Sequence, residues 1–221
     1  MELPLTRATV IRPDALGGRD EAGRWLARIS GDPAAAEVQI EEAVRVLNRA
    51  LHTHRAATQD PYVHELSAAE AVAIRIGYGT GDEVVDGRWS EAVELPPPER
   101  STRRTEALQP QERVAAVLGG REAVAPSETL ILRARLDLDQ GRAREAALQL
   151  RVGLEALLRD GGVGAGDRQA DDLASLAERR DGVVEAANQA LSGDPDPARV
   201  AELDETVAIC ERVLRRRRLQ S

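Results

Sequence analysis

A chain of 221 residues with 38 acidic and 30 basic side chains carries a formal net charge of −8 and a pI near 5.1, which argues against a nucleic-acid-binding domain as a whole. A single cysteine, Cys210, rules out an intramolecular disulfide and points to a reducing compartment. No stretch of about 18 consecutive apolar residues is present, so no transmembrane helix is expected.

All of the basic residues are Arg, and Phe is absent, so the available core is built from Ala, Leu and Val with Trp25, Trp89, Tyr62 and Tyr78 as the aromatic rings. Small side chains favour close helix-on-helix packing. The excess of Arg and Ala is read as the mark of a GC-rich bacterial genome. The opening MELPLTRATVIRP has neither a basic n-region nor a continuous apolar h-region, so it is not expected to be a secretory signal and a cytoplasmic protein is expected.

Residues 1–20 read as an extended lead-in with a short strand at Thr9–Ile11. A short helix over about 20–30 carries Trp25, Leu26 and Ile29. Asp32 and Pro33 form a cap and first-turn pair that opens a helix to about Ala56, with the stripe Ile40, Ala43, Val44, Leu47, Ala50 and Leu51. The next segment carries two competing signals. Val72, Ile74, Ile76 and Tyr78 alternate as in a strand, whereas Ser67 with Glu70 has capping-box spacing ahead of an Ala-rich run. The capping signal predicts a helix over 68–76 ended by Gly77, and Thr80 with Glu83 predicts another over 81–86.

Pro96–Pro98 and the polar run after them mark a boundary, giving an N-terminal helical region 1–95 and a Pro/Arg-rich linker 96–109. Within 110–159, a short helix over Gln111–Leu118 stops at Gly119 and Gly120, and helices over 127–139 and 143–159 form a hairpin. The Gly-rich stretch 160–168 reads as a flexible linker. A C-terminal hairpin, 169–192 and 197–219, restarts at Asp196–Pro197. Its two stripes, Leu173, Leu176, Ala177, Val183, Val184, Ala187 and Leu191 against Val200, Leu203, Val207, Cys210, Val213 and Leu214, are expected to face each other. Because a lone hairpin buries too little surface, it is expected to dock on the body, a second copy or a partner, the linker favouring the last two. The fold class is all-α, helical hairpins and bundle, with room for a short strand or two in the N-terminal region.

The segment LDLDQGRAREAALQLRVGLEALL resembles the centre of a tetratricopeptide repeat. Gln140–Gly141 stands at that family's turn, Glu145–Ala146 at the start of its second helix, and Leu154–Glu155 on its Ala-Leu-Glu position, with Gly153 in place of the alanine. Arg159–Asp160 replace the family's proline, and no second copy follows at the period of about 34 residues. The resemblance implies a protein-interaction scaffold over about 127–159 and carries over no binding residues.

GYGTG, Gly77–Gly81, is the most suggestive local motif. Glycines allow backbone amides to approach an anion, and Arg75, Tyr78, Gly79, Arg88 and Trp89 form the candidate ligand loop. No Lys-Ser/Thr pair and no GxGxxG accompany it, so neither a P-loop nor a dinucleotide fingerprint is present. The alternative is a glycine that ends a helix and begins a turn. His52 and His54 lie about 200° apart on a helix and cannot chelate one ion. His64 with Asp60 and Glu65 could exchange protons, but nothing completes a catalytic site. Cys210 falls on an apolar stripe as a structural thiol. Arg212, Arg215, Arg216, Arg217 and Arg218 are the dense basic run. They read either as a solvated helix end or as an electrostatic contact for RNA, anionic lipid or an acidic partner.

No catalytic residue, cofactor or metal is assigned. The functional expectation is a non-enzymatic interaction or scaffolding protein with a protein partner or self-association. The alternatives are a small-ligand or phosphate-binding protein, or an enzyme, using the 75–89 loop, and a nucleic-acid-associated accessory protein acting through the Arg run.

Overall fold

The computed structural model describes residues 6–96, 104–160 and 167–218. The chain divides into two compact units, Met1–Arg103 and Arg104–Ser221. Among the described residues the fold is mostly helical, with one small two-stranded antiparallel sheet.

In the first unit, residues 6–16 adopt no regular structure, so the strand expected at Thr9–Ile11 is absent. Helix α1, Arg19–Gly31, buries Ala22, Leu26 and Ile29, one residue per turn. Asp20 and Glu21 stand in its positive first turn and Arg28 in its last. Helix α2, Pro33–Thr58, starts as the Asp-Pro signal requires: the Asp32 carboxylate accepts from the amides of Ala34 (3.0 Å) and Ala35 (3.3 Å). It ends where Gln59 takes a left-handed conformation, φ 55°.

The helix expected over 68–76 is not formed. Ser67 does accept from the amide of Ala69, but only a single 3-10 turn, Ala68–Glu70, follows. The chain then becomes strand β1, Ile74–Tyr78. After the four-residue helix α3, Asp82–Val85, it returns as β2, Glu91–Leu95. Period-two alternation wins here because it supplies an apolar face. Ile74 pairs with Leu95 and Ile76 with Val93, and these four pack with Trp25, Ile29, Ala36 and Ile40 in one cluster. Gly77 makes the pairing possible, since a Cβ there would lie 2.5 Å from the Glu91 carbonyl oxygen.

The second unit begins with α4, Arg104–Leu118, which starts inside the stretch expected as linker and ends at Gly119 and Gly120. Helices α5, Pro126–Asp139, and α6, Ala143–Asp160, form a hairpin turned by Gly141 at φ +73°. Helices α7, Asp167–Ser192, and α8, Pro197–Arg218, form another, and Asp196 caps α8 through the Arg199 amide (2.9 Å). The Gly-rich stretch between α6 and α7 lies largely outside the described residues, as does the polar run after Pro96.

The four helices make an up-and-down bundle around one core. Ile131 and Ala134 of α5, Leu150, Leu154 and Leu157 of α6, Leu176, Val183 and Ala186 of α7, and Leu203, Val207, Cys210 and Val213 of α8 belong to a single cluster. The C-terminal hairpin is thus core, not a separately docked module. A two-helix layer could not exclude water from both stripes, whereas four helices do. Two residues of the expected stripe turn outward, Ala177 and Leu191, the latter 66% exposed. Arg135 of α5 binds Asp204 and Glu211 of α8 and closes the ring.

Candidate functional site

The strand pairing decides what the glycine loop can do. Arg75 and Tyr78 are three residues apart in β1, so they stand on opposite faces of the ribbon. Each is engaged by the carboxylate opposite it in register: Arg75 bonds Glu94 (3.0 and 3.1 Å), and the Tyr78 hydroxyl donates to Glu91 (2.7 Å). The bond to Glu91 raises the Tyr78 pKa above its usual value. Arg88 reaches back to Asp86 (3.1 Å), and Trp89 is half-buried. Gly79 faces not an open cradle but the Val84 side chain, 2.5 Å from where a Cβ would sit. The five residues of the candidate loop are therefore adjacent in sequence without converging on one point, and acids surround their cations.

The Arg run is drawn into the bundle. Arg212 (3.2 Å) and Arg216 both bind Asp172 near the start of α7, and Arg217 donates to the Leu157 carbonyl at the end of α6 (3.2 Å). Arg215 is exposed, and the Arg218 side chain lies outside the described ones. These guanidiniums fasten three helix ends together.

On α2, the His52 Nδ1 accepts from Arg55 (2.9 Å), and Arg55 also binds Glu65 (3.3 Å), with His52 3.9 Å from that carboxylate. His54 and His64 are exposed. Among the described residues no group of three or more His, Cys, Asp or Glu could hold a metal ion. Cys210 is fully buried in the bundle core, and burial pushes its thiol up to about 12.

Sequence reasoning missed the buried polar anchors. Asn48, 1% exposed on the expected apolar stripe of α2, binds the backbone of Leu66. At the α5–α6 turn, Asp137 accepts from Arg142 (2.6 Å) and from Gln149. A polar residue inside an otherwise apolar stripe was the available signal for Asn48.

A different kind of surface remains. Leu132 and Leu136 on α5, and Leu148 and Val152 on α6, are one-turn pairs pointing away from a filled core, exposed between 38% (Leu148) and 57% (Val152). Around α6 the cations are pre-ordered: Arg144 donates to the Ala190 carbonyl (2.8 Å) and Arg151 to the Asn188 side chain (3.3 Å), both on α7. Glu155, bonded to Arg180 and near Arg159 and Arg151, is held below its usual carboxylate value.

Among the described residues no helix is long and apolar enough to cross a membrane. No protein-family model matches the chain, and no match was found among curated proteins or solved structures.

Proposed function

We propose that this chain is a non-enzymatic interaction or scaffolding protein acting in a bacterial cytoplasm. The observation that carries the reading is the pair of outward apolar faces on the α5–α6 hairpin, Leu132 with Leu136 and Leu148 with Val152. Scattered single apolar side chains are ordinary on a surface, but one-turn pairs on helices whose inner faces are already packed are suited to a second surface. The resemblance to a tetratricopeptide hairpin fits the same reading. At the family's small-residue position, Gly153 lets α6 approach α5 so closely that a Cβ would lie 3.1 Å from the Leu130 Cβ.

The ligand-loop alternative is less well supported, because Arg75 and Tyr78 occupy opposite faces and each is engaged by a carboxylate. In the nucleic-acid alternative, three of the five arginines are committed within the bundle, Arg212 and Arg216 to Asp172 and Arg217 to the Leu157 carbonyl. The test is affinity capture from native lysate with the full chain, followed by mass spectrometry, beside L132D/L136D and L148D/V152D. The reading expects proteins captured by the wild type and lost on one double variant that keeps its helical circular dichroism. Capture of nothing, or of the same set by all three, overturns it.

A further inference from the structure

We draw no further inference here: the strongest candidate, the outward apolar face of the α5–α6 hairpin at Leu132, Leu136, Leu148 and Val152, belongs to the surface already described, and nothing in the structure shows what covers it.

Discussion

Asn48 and Leu66 hold each other through two hydrogen bonds, the Asn48 Nδ2 donating to the Leu66 carbonyl at 3.0 Å and the Leu66 amide donating to the Asn48 Oδ1 at 2.7 Å. The side chain mimics a strand neighbour and ties the loop after α2 to the middle of that helix. Asn48→Ala leaves both backbone groups of Leu66 without a protein partner, at a cost of about 3 kcal/mol to the first unit. Asn48→Asp keeps the acceptor but sets a carboxylate against the Leu66 carbonyl. Hydrogen exchange is the check: the Leu66 amide is expected to exchange far faster in Asn48→Ala, with the bundle amides unchanged.

Two of the three glycines of GYGTG, Gly77 and Gly79, are required by packing. At Gly77 a Cβ would meet the Glu91 carbonyl oxygen at 2.5 Å and the Ala92 Cβ at 2.6 Å, and backbone cannot yield cheaply. Gly77→Ala is expected to open the β1–β2 pairing. Gly79→Val is expected to destabilise the same hairpin through the buried Val84, not to leave the fold intact. Nuclear Overhauser contacts across the strands, or thermal unfolding of the first unit, would show it. A Gly79→Val protein as stable as wild type would mean that Val84 can move aside.

Gly153 sets the spacing of α5 and α6. Its added Cβ would stand 3.1 Å from the Leu130 Cβ and 3.4 Å from the Ile131 amide nitrogen. Gly153→Ala trades a helix-propensity gain of about 1 kcal/mol against that crowding and is expected to be nearly neutral. Gly153→Leu has no such compensation and is expected to cost about 2 to 3 kcal/mol. Chemical denaturation of the pair of variants measures the difference.

Removing α7 and α8 is expected to unfold the second unit. Leu150, Leu154 and Leu157 would lose Leu176, Val183, Leu203, Val207 and Val213 from their shared cluster. A chain truncated after Asp160 should lose the cooperative transition of α5 and α6. A truncated chain that retains it would show that the first hairpin is self-sufficient.

Cys210 reports on the same core. Its folded thiol is raised to about 12 by burial, against 9.0 for an open one. The raised value leaves stability undiminished below pH 9. Between pH 9 and about 12 only the unfolded thiol ionises, so stability falls as pH rises through that window. At pH 8 a thiol reagent is expected to label Cys210 only as fast as the bundle opens, and Leu203→Ala is expected to speed labelling in proportion to its destabilisation.

Much of the secondary structure was legible in the sequence, because its signals are local. The Asp32–Pro33 and Asp196–Pro197 caps, the glycine stops at Gly119–Gly120 and the turn at Gly141 each act within a few residues of themselves. The contest at 68–78 was not local. Ser67 and Glu70 favour helix, Ile74 and Ile76 favour strand, and the outcome depends on β2 and on the α1 face that receives the strand's apolar side. The fate of charged residues likewise belonged to tertiary structure. A run of arginines looks the same whether solvated or engaged, and only the arrival of Asp172 and of the end of α6 turned Arg212, Arg216 and Arg217 into fasteners. So did the number of layers. Two amphipathic helices specify that they must be covered, and the four-helix ring decides by what. Which apolar residues remain for a partner follows from that decision, since Leu148, Val152 and Leu191 differ from their buried neighbours only in the direction they face once the bundle has closed.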